Sequence, residues 1–191
     1  MLKIKHYKIT QGFTLIELMV TVAVLAIVLT VAVPSFSGLV SSNRLNGQAN
    51  SLLAAIEYAK AEAIKNNANV AFCHSSNGSS CSAAPASSWQ GWIVGLAATP
   101  SGIQADTVMR AGILDSTQIV IRSSSTLSDA GDQIRITPQG LLRNTNRLPL
   151  QATLLVCNPT TSSNPNSRNL RIRSGGQLAV ISAQNTSCTA P

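Results

Sequence analysis

Glu17 is the one charge in a 21-residue stretch, 13–33, that is otherwise uncharged and mostly apolar. A carboxylate inside such a segment costs roughly 2.5–3.5 kcal/mol on membrane-insertion scales, and is kept where a partner cation awaits it. The chemistry it offers is an ion pair formed in apolar surroundings. Four cysteines, Cys73, Cys81, Cys157 and Cys188, all follow that stretch and include no C-x-x-C unit. An even set beyond an apolar segment suits disulfides on an oxidising side of a membrane. Of the three pairings open to them, Cys73 with Cys81 and Cys157 with Cys188 are expected, because each closes a Ser/Asn/Pro-rich loop that has few apolar anchors. The third reactive set is cationic. Asp132 is the last acidic residue, and Arg135, Arg143, Arg147, Arg168, Arg171 and Arg173 follow it. Such a stretch attracts polyanions or simply solvates a surface.

Catalysis has little to work with. The histidines are His6 and His74, no metal-protease, nucleophile-elbow or phosphate-loop pattern occurs, and seven acidic residues in 191 leave few ways to pair carboxylates. No enzyme activity, catalytic residue, cofactor, metal site or small-molecule substrate is expected.

These residues need elements to position them. As a helix, 13–33 reaches about 31 Å, the thickness of a hydrocarbon core of about 30 Å. Lys3, Lys5 and Lys8 precede it and the next cation is Arg44, so the positive-inside bias places the N-terminus in the cytoplasm and the rest outside. The run is longer than the 7–15 apolar residues of a secretory signal peptide, and Glu17 sets it apart from a plain anchor. Pro34 would free the Thr30 carbonyl and kink or loosen the helix. Beyond it Leu45, Ala49, Leu52, Ile56, Ala59 and Ala63 recur at helical steps, giving an apolar face up to Asn66 and Asn67.

From Val70 the period changes. Short apolar or alternating runs at 70–74, 92–96, 118–122, 133–137, 152–157, 169–173 and 177–182 predict strands. Pro138-Gln139-Gly140 and Ser174-Gly175-Gly176 are turn chemistry, so the last two strands form a hairpin and no further helix-length pattern appears. The fold class is α+β: one long helix, half transmembrane, packed on a β-rich head.

The string Gly12-Phe13-Thr14-Leu15-Ile16-Glu17-Leu18 after a short lysine-rich leader resembles the class III signal of type IV pilins and type II secretion pseudopilins. The resemblance implies that a prepilin peptidase cuts after Gly12 and methylates the new Phe13 amine. Glu17, then fifth in the chain, would neutralise the amine of a neighbouring subunit. Glycine suits such a cleavage site because no side chain obstructs the protease. In the family a proline at the place of Pro34 marks where the helix loosens on assembly. The expected organisation is a leader at 1–12, a transmembrane and assembly half-helix at 13–33, an amphipathic half-helix at 34–67 and a β-rich head at 68–191.

Trp89-Gln90-Gly91-Trp92, the Ile136–Gly140 stretch and the closing hairpin look like the GspH/FimT/FimU branch, and the cysteine placement looks most like FimU-type minor pilins. That implies a subunit that starts or caps pilus assembly among other minor and major pilins, first in the inner membrane with its head in the periplasm, then at the cell surface. GspH-type members act instead in type II protein secretion. FimT-type members bind DNA in natural transformation through Gly-Arg-x-Arg; here the comparable place reads Gly176-Gln177-Leu178-Ala179. The candidates for phosphate contact are therefore Arg143, Arg147, Arg168, Arg171 and Arg173, with no aromatic interleaved for base stacking. Core packing is the expected role of both tryptophans.

Overall fold

The computed structural model describes residues 12–85, 88–114, 118–160 and 164–191, with the side chains at 31–35 and 37 outside that description. Lys3, Lys5, His6 and Lys8 lie outside it too. The chain divides into two compact units, Met1–Leu39 and Val40–Pro191.

Helix α1, Leu15–Lys65, runs through both units and is helical through Pro34. Within the second unit its expected apolar face is the buried one: Leu45, Ala49, Leu52, Ile56, Ala59 and Ala63 are all fully buried, joined by Ala55. The helix stops in a Schellman motif. Asn67 takes the left-handed conformation at φ 47°, its N–H reaches the Ile64 carbonyl at 3.3 Å and the Ala68 N–H reaches Ala63 at 3.2 Å.

Among the described residues nine strands follow, β1 Val70–His74, β2 Gly91–Ala97, β3 Ile103–Ile113, β4 Val120–Ser123, β5 Gln133–Ile136, β6 Leu142–Arg143, β7 Ala152–Cys157, β8 Ser167–Ile172 and β9 Leu178–Ala183, with a four-residue helix α2, Ser125–Ser128, between β4 and β5. They pair antiparallel in a five-stranded sheet, β3-β2-β1-β5-β6, and a four-stranded sheet, β4-β7-β8-β9. One core joins the α1 face to both sheets through Phe72, Ile134 and Ile136 on one side and Leu154, Val156, Leu170 and Ile172 on the other. Phe72 lies between Trp89 and Trp92, with ring centroids 5.9 and 6.0 Å away.

Several elements depart from the sequence expectation: β6, only two residues long, was not foreseen, and β4 begins at Val120 rather than at 118. β3 was not foreseen: its residues are half-buried or exposed along their length, and register shifts opposite Gly95 break the alternation that marks a half-buried strand. β8 begins at Ser167, two residues before the expected start. α2 is too short for a periodic signal.

The hairpin between β8 and β9 turns at 174–176, with Gly176 at φ 80°. A Cβ on Gly176 would stand 2.8 Å from the Gly140 carbonyl oxygen, so the two glycine turns meet backbone to backbone. Lys60 Nζ donates to the Gly176 carbonyl at 2.8 Å and ties both to α1.

The cysteines form two disulfides, Cys73–Cys81 and Cys157–Cys188. Their sequence separations are 8 and 31 residues. Chain-entropy scaling gives stabilisations of about 2.5 and about 3.7 kcal/mol respectively. Replacing both Cys157 and Cys188 by Ser is therefore expected to lower head stability by about 3–4 kcal/mol, more than the corresponding change at Cys73 and Cys81. Denaturant unfolding of the two double variants compares them directly.

Candidate assembly site

The N-terminal end of α1 is built from four residues. Thr14 precedes the first helical residue, and the segment reads T-L-I-E, the spacing of a capping box. The geometry is reciprocal: the Glu17 N–H donates to Thr14 Oγ1 at 3.3 Å, while the Thr14 N–H and hydroxyl both donate to Glu17 Oε2 at 3.2 Å. Glu17 thus folds back over the helix start onto Thr14. The cap is legible in the sequence as Thr14-x-x-Glu17.

Among the described side chains from Phe13 to Thr30, Glu17 is the one charge and apolar residues predominate. Phe13 is 85% exposed, and every side chain described from 13 to 30 is exposed. A helix apolar all round is covered by lipid or by other helices in its working state. Among the described residues no helix is long and apolar enough to cross a membrane. The Pro34 side chain lies outside the description.

The five candidate arginines separate. Arg168 is only 5% exposed, and its position corrects the expectation that it faces solvent beside Arg171. Alternation decides this: Arg168 shares a face with Leu170 and Ile172, which point into the core, whereas Arg171 points outward with Asn169. Arg168 Nε donates to Asn46 Oδ1 at 2.7 Å, and its terminal nitrogens donate to Ser42 Oγ at 3.0 Å and the Ser167 carbonyl at 2.8 Å. With the Asn158 amide donating to Ser41 Oγ at 2.9 Å, it fastens the four-stranded sheet to α1. Burial lowers its pKa from the ordinary arginine value. Arg171, Arg173 and Arg147 are exposed, and Arg143 is half-buried on β6.

Other polar groups are buried as well. Arg135, opposite Arg143 in the ladder, is 4% exposed and donates to the carbonyls of Ala98 and Pro100. Burial first, then the nearby Arg147 charge, lowers its pKa. Trp89 donates to Ser123 at 2.8 Å, Ser123 donates to the buried Asp132 carboxylate, and the Ala84 N–H fills its other oxygen at 2.8 Å. Nδ1 of the buried His74 meets the Ser82 carbonyl at 2.9 Å, and Nε2 accepts from the Gln90 N–H at 3.3 Å. The Trp89, Ser123, Asp132 and His74 groups are thus partnered within the head, whereas the buried Arg135 Nε has no partner among the described residues. No group of potential ligands able to hold a metal occurs among the described residues.

A long helix whose start carries a prokaryotic N-terminal methylation motif, matched over residues 8–33, and whose second half packs on an antiparallel β head defines the pilin and pseudopilin class. The profile described as type II transport protein GspH matches residues 48–176, and the chain belongs to that family. Its head is also similar to crystal structures of the Pseudomonas aeruginosa PAO1 type IV minor pilin FimU in two crystal forms. One superposes with a TM-score of 0.53 at 18% identity over 75% of this chain and 99% of FimU. The other gives 0.55 at 18% identity over 77% and 96%. That likeness is one of fold. A comparison with curated protein sequences finds no match.

The arginine geometry makes a prediction. Arg168→Gln is expected to destabilise the head by about 1–3 kcal/mol, through lost hydrogen bonds and packing against α1. Arg171→Gln is expected to stay within about 0.5 kcal/mol of the parent. Thermal unfolding of the two variants side by side checks the contrast.

Proposed function

We propose that this chain is a minor pilin that takes part in initiating or capping type IV pilus assembly. In this reading prepilin peptidase removes residues 1–12 by cutting after Gly12 and methylates the Phe13 amine. Residues 13–33 hold the chain in the inner membrane, with the head on the periplasmic side, until it enters the filament among other pilins. Pro34 lets the helix loosen at that step. The role is structural, with no reaction and no cofactor.

The observation that carries the reading is the placement of Glu17. It is the lone acid in the exposed, mostly apolar run from Phe13 to Thr30, held by Thr14 at the end where cleavage would create a cation. A neighbour's Phe13 amine, still positive after methylation, supplies the partner that makes a carboxylate tolerable in an apolar bundle. The match to the GspH profile favours a second reading, a pseudopilin of type II secretion built by the same chemistry. DNA binding is the weaker alternative, since Arg168 is committed to α1 and only Arg143, Arg147, Arg171 and Arg173 are left to meet phosphates.

Intact-mass measurement of the protein from its host is expected to give a chain starting at methylated Phe13, and an uncut leader would end this reading. Two Glu17 variants then separate charge from cap. Glutamine satisfies a capping box as glutamate does, so Glu17→Gln keeps the helix start while removing the charge; Glu17→Ala removes both. Both are expected to be inserted and cleaved yet depleted from sheared filaments. Normal incorporation of Glu17→Gln would assign the residue to capping alone.

A further inference from the structure

An exposed strand edge is a template for another chain, and native sheets blunt their edges with short strands, prolines, bulges, charges or covering segments. Three of the four edges here are managed in this way. β4 is covered where the Trp89 N–H bonds the Ile121 carbonyl at 2.9 Å and the Ile121 N–H bonds Ser88 Oγ at 2.9 Å. β6 has only two residues, and Arg143 bridges to Pro149. β3 is bulged against β2 and carries Asp106, in the left-handed conformation at φ 58°, and Arg110.

β9 has none of these protections. Its sequence, Leu-Ala-Val-Ile-Ser-Ala, contains no charge, proline or glycine, and it pairs with β8 in unbroken register. The Arg173 N–H donates to the Gln177 carbonyl at 3.0 Å, which fixes the alternation along the ladder. Ala179, Ile181 and Ala183 then bond to β8, and the N–H and C=O groups of Leu178, Val180 and Ser182 face outward. Among the described residues none of those groups has a partner. Beside them lies a groove of about 340 Å³ lined by Arg171, Arg173, Gln177, Leu178, Ala179 and Ile181. Arg171 and Arg173 are exposed and pair with no acid among the described residues.

We infer that the β9 edge is a docking site for an extended acidic segment of another subunit, which adds a fifth strand to this sheet. Charge selects the occupant. A residue of the incoming strand opposite Ala179 would lie on the Arg171 face, one strand spacing of about 4.8 Å beyond Ala179. The small alanine leaves the arginine free to reach over it to a glutamate or aspartate there. A second copy of this chain fits badly: pairing β9 with β9 across a two-fold axis would continue the same face and bring both sets of arginines onto it. The backbone groups supply affinity and the arginines supply choice of partner. This inference rests on the chain working as an assembled subunit.

The test uses the full-length protein in detergent and a labelled eight-residue peptide of alternating Thr and Glu, with its Thr/Lys counterpart as control. The acidic peptide is expected to bind and the basic one to bind at least tenfold more weakly. Ser182→Pro removes an outward N–H without touching the β8 ladder, and Arg171→Glu reverses the selecting charge; each is expected to weaken acidic-peptide binding at least tenfold while both disulfides form. No binding of the acidic peptide, equal binding of the basic one, or an unaffected Ser182→Pro overturns the proposal. In cells, a photo-crosslinking residue at position 179 is expected to join a different subunit at an Asp- or Glu-bearing segment, and adducts only with a second copy overturn it. An uncut leader with intact peptide binding would instead sink the assembly reading alone.

Discussion

One stripe of α1 must be buried against two sheets at once, and that requirement sets the spacing of everything else in the head. Alanines at 49, 55, 59 and 63 alternate with Leu45, Leu52 and Ile56, so backbones approach closely at some levels and large side chains fill the space at others. Each large aliphatic so buried stabilises the fold by roughly 1.5–3 kcal/mol. Because both sheets converge on the same stripe, neither can shift along the helix without opening the shared core around Phe72, Leu154 and Leu170. The polar fastenings at Arg168 and Lys60 then fix position along an axis that apolar contact alone would leave slippery.

The stripe was readable in the sequence because its period is the helix's own and nothing competes with it. Strands inside the two sheets were readable as short apolar runs for the same reason: both their faces, or one of them, meet the core. β3 was not readable, since an edge strand that touches solvent along most of its length needs no pattern, and its bulges erase what alternation is left. The fold class and the leader signal were thus legible, while strand boundaries depended on burial that one-dimensional reading does not contain.

Arg168 shows how such a small boundary error changes a residue's meaning. Moving the start of β8 back to Ser167 places Arg168 in step with Leu170 and Ile172, and the alternation Arg-x-Leu-x-Ile already spelled out an inward face. Arg168 and Arg171, three apart on one strand, stand on opposite faces of the sheet. Arg135 tells the same story, its inward turn being set by the strand and its guanidinium spent on carbonyls of the loop at Ala98 and Pro100. A run of arginines is therefore not one electrostatic surface but a mixture of fasteners and free charge.

The two disulfides also differ in when they become available. A chain made from its N-terminus brings Cys73 and Cys81 out together, eight residues apart, so that pair can oxidise while most strands are still unmade. Cys157 must wait through β8 and β9 for Cys188, 31 residues later. In the interval its thiol is exposed to any earlier cysteine that remains reduced. Closure of the short loop before Cys188 emerges would leave Cys157 a single partner, taking the two wrong ones out of circulation before the long loop has its right one.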